Sequence, residues 1–232
     1  MRIDKNSPCN ISKFKIDTSK FNSTMDCLAN NYSTPKKVTE FERKVGKSVC
    51  RAAELAMSDL EASPNKPKFR LVSAPTGGSK TSSSIALLAM LANEYPEFSG
   101  AYICRTIEEC EAQYRNLKKL VDPNILAVFS SLHMFNPKPE LVAEKKEIDV
   151  VASDHFEPES LQKKQLIITT HSRWENEIKR SKDLGVRKYR DRRRNLIIVD
   201  EEPELCSIHP CLPHYVSELA DVVSSYSDSI KN

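Results

Sequence analysis

The residues best suited to chemistry fall in two places. Ser73-Ala74-Pro75-Thr76-Gly77-Gly78-Ser79-Lys80-Thr81 joins an apolar stretch, Phe69–Ser73, to a Leu- and Ala-rich stretch beginning at Lys80. A glycine-containing turn between a strand and a helix converges backbone N–H groups on one point, and the helix dipole adds positive field there. That is phosphate-binding chemistry, with Lys80 facing terminal phosphates and the Thr81 hydroxyl ligating Mg²⁺. The chain has five glycines, and Gly77 and Gly78 are two of them. The usual pattern has Gly immediately before the lysine, whereas Ser79 stands here and the second glycine lies one place earlier. A Cβ at position 79 is expected to crowd the phosphates or strain the loop, with the flexible position moved to Gly78. The competing reading is a glycine turn before a helix that binds nothing.

The second place is Leu196-Ile197-Ile198-Val199-Asp200-Glu201-Glu202-Pro203, a buried-type strand ending in consecutive carboxylates. In an open α/β sheet, ligands sit outside the carboxyl ends of the strands. Asp200 is therefore expected at the same edge as the loop, holding Mg²⁺ through water. Glu201 is expected to polarise an attacking water for displacement at a γ-phosphate.

Positioning these residues calls for alternating strands and helices. Strands are predicted at Phe69–Ser73, Ala101–Cys104, Ile125–Phe129, Leu166–Thr170 and Leu196–Val199. Helices are predicted from Lys80 to Glu94, from Ile107 to Val121 and from Arg173 to about Lys182. Two open with capping-box patterns, Thr106 to Glu109 and Ser172 to Glu175. The alternation predicts an α/β fold with a mostly parallel sheet covered on both faces. Residues 131–164 read as a polar insertion. Upstream, 1–34 read as an irregular arm, and 35–62 as an N-terminal helical appendage capped by Thr34 with Pro35 at its first position. Its stripe is Val38, Phe41, Val45, Val49, Ala52, Ala56 and Leu60. The phosphate-binding domain then spans 67–232.

Composition narrows the class. The 232 residues are 39% apolar and 29% charged, with a net charge of +3, which by itself does not argue for nucleic acid. No apolar run reaches membrane-spanning length, and Met1-Arg2-Ile3-Asp4-Lys5 is no signal peptide, so no membrane contact and a cytoplasmic location are expected. Seven cysteines without a CxxC pair read as reduced thiols.

Ala-Pro-Thr-Gly before Lys80-Thr81, with Asp200-Glu201 downstream, resembles the first RecA-like domain of DEAD-like superfamily 2 helicases. The resemblance covers about residues 69–204 and implies a three-layer P-loop NTPase fold that binds ATP and Mg²⁺. Ala74, Pro75, Thr76, Gly77, Gly78, Ser79, Lys80 and Thr81 would cradle the nucleotide, Thr81 and Asp200 the metal, and Lys80 and Glu201 would serve hydrolysis. By position it also implies DNA or RNA contacts at Arg105 and Thr106 after the second strand, and at Thr170 and His171 after the fourth. No glutamine precedes the loop to read adenine, and no Ser-Ala-Thr motif or second RecA-like domain follows. The expectation is the front half of a motor, completed by a second domain or a partner subunit. Its rival is a nucleotide-binding switch or partner-binding module with little or no hydrolysis.

Two further features carry less. The run from Arg187 to Arg194 invites a nucleic-acid reading, but it enters the strand leading to Asp200 and so belongs at the opposite sheet edge, where it reads as a solvated loop. Cys206, His209, Cys211 and His214 form a compact cluster whose spacing matches no structural zinc motif.

Overall fold

A computed structural model describes residues 14–63, 68–75, 77–130, 158–179, 185–190 and 192–201. Four short strands form the sheet: β1 (Gly100–Cys104), β2 (Leu126–Phe129), β3 (Leu166–Thr170) and β6 (Leu196–Val199); β4 (Lys188–Tyr189) and β5 (Arg192–Arg193) make a separate antiparallel pair. The four lie in the order β2-β3-β1-β6, all parallel. β1 is central, pairing Gly100 with Leu166 and Leu196, and Ile103 with Thr169 and Val199. A parallel sheet is buried on both faces, which is why these strands read as continuous apolar runs rather than alternating ones. β1, β2 and β3 are buried throughout, whereas β6 is half-buried from Ile197 to Val199.

Helices cover both faces. On one face, α1 (Thr18–Asn30), α2 (Glu40–Ala62), α3 (Lys80–Glu94) and α4 (Ile107–Lys118) share a single core with Tyr102, Val128, Leu166 and Ile168. On the other, Leu161 of α5 (Pro158–Leu161), Trp174 of α6 (His171–Lys179) and Val186 pack on Ala101, Ile103, Phe129 and Ile167. The α/β class, the parallel sheet and the three layers follow the expectation. Among the described residues, no helix is long and apolar enough to cross a membrane.

Several local expectations need correction. Residues 18–30 are not an irregular arm. Asp17 caps α1 by accepting from the Ser19 and Lys20 N–H groups (2.8 and 3.3 Å), and Phe21, Met25 and Leu28 at helical spacing are buried. The abundant Asn, Ser and Lys of this segment occupy the solvent side and mask a narrow apolar stripe. α2 starts at Glu40 rather than Pro35, because Thr39 and Glu42 form a complete capping box. Its buried face is Val45, Gly46, Val49, Cys50, Ala53 and Met57, while Phe41 is 50% exposed. At Gly46 an added Cβ would lie 2.7 Å from Phe21 Cε1, so α1 and α2 meet at a point that excludes a side chain. α1 and α2 are therefore a part of the core rather than an appendage.

The predicted strand Phe69–Ser73 is not in the sheet. It has no regular secondary structure, with Phe69 85% and Leu71 93% exposed, and Arg70 Nε donates to Asp59 of α2 at 2.8 Å. A fully covered strand would bury Arg70, whereas beside α2 the guanidinium keeps a carboxylate and water. α6 opens at His171, where Thr170 Oγ1 accepts from the Arg173 N–H (3.3 Å), so Thr170 rather than Ser172 does the capping.

The chain divides after Glu201, and residues 202–232 lie outside the described residues. The polar insertion read at 131–164 falls largely outside them as well, up to 157.

Candidate functional site

The loop before α3 is shaped by three backbone constraints. Gly78 N–H donates to the Pro75 carbonyl at 3.0 Å, Gly77 has φ 80°, and Ser79 has φ 59° and ψ 29°. A Cβ on Gly78 would approach the Pro75 oxygen to 2.9 Å. Gly78 is thus required by close approach, and the left-handed position has not moved to it; Ser79 itself is left-handed. Lys80 Nζ donates to the Ala74 carbonyl, folding the ammonium back across the loop. Thr76 lies outside the described residues.

What holds Ser79 there is a residue that the sequence reading missed. The Ser79 hydroxyl donates to Glu42 Oε1 on α2. The same carboxylate accepts from Lys36 Nζ and, through Oε2, from the Thr39 N–H (2.8 Å) and hydroxyl (3.0 Å). Burial pushes the Glu42 carboxyl up, but the hydrogen bonds from Lys36, Ser79 and Thr39 outweigh it and hold the group down to about 2. The capping pattern of Thr39 and Glu42 was legible in principle. Its reach to Ser79 was not.

The acidic turn sits at the carboxyl end of β6. The Asp200 N–H donates to the Ile103 carbonyl at 2.9 Å, extending the ladder one step. Thr81 Oγ1 donates to Asp200 Oδ2 at 2.8 Å, so the two motifs meet across 119 positions of sequence. Tyr102, fully buried on β1, donates its hydroxyl to the same oxygen. Burial, and then the Asp200 charge, push the Tyr102 phenol well above its ordinary range, so it stays a donor. Glu201 is left-handed (φ 64°), and its carboxylate faces Arg105 Nη1 at 3.5 Å, both side chains more than half exposed.

No known family model matches the chain, and no curated protein matches it.

The remaining site candidates gather at the same sheet edge. Cys104 and Thr170 are register partners, which sets Arg105 and Thr106 beside Thr170 and His171. Their side chains are engaged locally. Thr106 caps α4 in a complete capping box with Glu109, and Thr170 caps α6. His171 Nε2 lies 3.0 Å from the Asp200 carbonyl, and a carbonyl only accepts, so this nitrogen carries the proton. The basic run lies at the opposite edge, as its position implied. Its last residue is no solvated side chain: Arg194 is 2% exposed and donates to the carbonyls of Gly100, Leu161, Lys164, Gln165, Gly185 and Val186.

The donor set at Thr81 and Asp200 is oxygen only. Among the described residues no three His, Cys, Asp or Glu side chains are grouped as a metal cage. Mg²⁺ rarely uses such a cage; one carboxylate with a hydroxyl, phosphates and water suits it. The residues present therefore fit Mg²⁺ brought with a phosphate ligand. The Cys206, His209, Cys211 and His214 cluster lies outside the described residues.

Proposed function

We propose that this chain binds ATP with Mg²⁺ at the loop 74–81 and hydrolyses it, as the N-terminal motor domain of a DEAD-like helicase acting on DNA or RNA. The observation that carries this reading is the hydrogen bond from Thr81 to Asp200. It joins the start of a 15-residue helix to the carboxylate at the end of a parallel strand, the two places where phosphate and its metal are expected. Thr81 and Asp200 would hold Mg²⁺, which supplies charge neutralisation on the phosphates. Lys80 would exchange the Ala74 carbonyl for the terminal phosphates, and Glu201 would orient water and take its proton. Arg105, Thr106, Thr170 and His171 would line the nucleic-acid side, and a second RecA-like domain or partner subunit would close the site.

One observation favours a second reading, a nucleotide-binding switch with little hydrolysis. Glu201 faces Arg105, and a base held against a guanidinium is poorly placed to accept a proton. Calorimetry with Mg-ATP and steady-state phosphate release separate these readings. Lys80→Ala is expected to abolish measurable binding while circular dichroism is unchanged. Glu201→Gln is expected to keep affinity and lose turnover by about 10²-fold or more. Unchanged affinity in Lys80→Ala would sink the site; absent turnover in the wild type with intact affinity would establish the switch.

A further inference from the structure

Serine is among the strongest helix N-caps, and an N-cap normally has extended backbone so that its oxygen can accept a first-turn N–H. Among the described helices, α1, α2 and α4 are clear cases of that rule. Asp17, Thr39 and Thr106 are extended, and each accepts from the first turn of α1, α2 or α4. α3 departs from it. Ser79 occupies the N-cap position in left-handed backbone, and its side chain makes no capping hydrogen bond. Its hydroxyl is given to Glu42 instead. Glu42 is placed to take it, since its side chain is only 8% exposed and is fixed from three other directions by Lys36 and by the N–H and hydroxyl of Thr39.

We infer that Glu42 is a positioning residue that keeps the amino end of α3 open to phosphate by drawing the Ser79 hydroxyl away from it. The inference rests on the nucleotide reading of that loop and adds its control from α2. An uncapped helix start leaves first-turn N–H groups for an anion, whereas a self-capped one has used one of them. Lys36, paired with Glu42, offsets a carboxylate that would otherwise repel the phosphates. The same arrangement accounts for a serine where glycine is usual. The left-handed backbone that glycine adopts freely is imposed here by a side-chain anchor on another helix.

The test is a cycle of Glu42→Ala, Ser79→Gly and the double variant, each read by Mg-ATP calorimetry and by amide hydrogen exchange without nucleotide. Glycine suits φ 59° and carries no hydroxyl. With Glu42 gone, Ser79 is expected to turn and cap α3. Exchange at the Thr81 and Ser82 amides should slow, and Mg-ATP affinity should fall about fivefold to tenfold. The double variant should recover the affinity and exchange of Ser79→Gly. A purely structural role for Glu42 does not yield that recovery, because the double variant would then be at least as impaired as Glu42→Ala. Unchanged amide exchange in Glu42→Ala, or a double variant as weak as Glu42→Ala, overturns the inference. If the wild type binds no Mg-ATP, the nucleotide reading falls by itself, and the exchange arm alone decides whether Glu42 diverts Ser79.

Discussion

Glu42 and Ser79 show how much a single side chain can be redirected by a neighbour on another element. The loop match by itself pointed to Ser79 as a crowding substitution and to Gly78 as the relocated flexible position. Gly78 instead has no room for a Cβ, and Ser79 is left-handed because an anchor holds it. The ionised form of Glu42 is what accepts all these bonds, so the cluster has a pH signature. The folded value lies near 2, below the ordinary 4.5. A depressed carboxyl contributes stability that is fully present above pH 4.5 and is lost as pH falls toward 2. Lys36 is about half exposed, so screening brings the contribution down to about 1 to 2 kcal/mol. Urea denaturation of wild type and Glu42→Gln should therefore differ by that amount at pH 6 and converge between pH 4 and 2. A constant difference across that window would mean that the Glu42 charge is not what stabilises the cluster.

Among the elements, those with one dominant requirement were legible and those serving two were not. β1, β3, β6 and α3 lie where apolar runs and the Lys80 start placed them, because burial on both faces or a Leu/Ala-rich helix leaves little choice. The Phe69–Ser73 stretch has the same β-type composition, but Arg70 within it has Asp59 to pair with, and the segment lies along α2. The basic run shows the converse. Its charges read as solvated, yet Arg194 is buried and tied to six carbonyls: Gly100 at the start of β1, Lys164 and Gln165 just before β3, Leu161 of α5, and Gly185 and Val186 in the loop between α6 and the last strand. Glu177 of α6 serves the same loop, accepting from the Val186 and Arg187 N–H groups at 3.1 Å each. Lysine cannot reproduce a planar five-donor fork. Arg194→Lys is expected to leave several carbonyls unpaired and to lower stability by about 3 kcal/mol in urea denaturation. A loss below about 0.5 kcal/mol would show that water satisfies these carbonyls equally well.

At the scale of the whole molecule, α1 and α2 belong to the core that carries the candidate site. Phe21 is fully buried, touches Gly46 of α2, and shares its cluster with Leu87 and Leu91 of α3. Phe21→Ala should remove about 3 to 5 kcal/mol, as large-to-small changes in a packed core do, and unfold the protein in one transition. A loss under about 1 kcal/mol, or a separate early transition, would make α1 an independent attachment. What the sequence by itself determined was the local grammar: parallel-type strands, the α3 start at Lys80, the capping box at Thr106, and carboxylates ending β6. Each of these is encoded by spacing within a few residues, where propensity, burial and capping agree. Only the tertiary structure decided which distant groups share an atom. Thr81 and Tyr102 converge on Asp200 Oδ2, Ser79 reaches Glu42, and Arg194 collects carbonyls from three segments. Such pairings depend on how helices and strands are laid against one another, because a hydrogen bond is fixed by position within a few tenths of an ångström, and no periodicity along the chain carries that information.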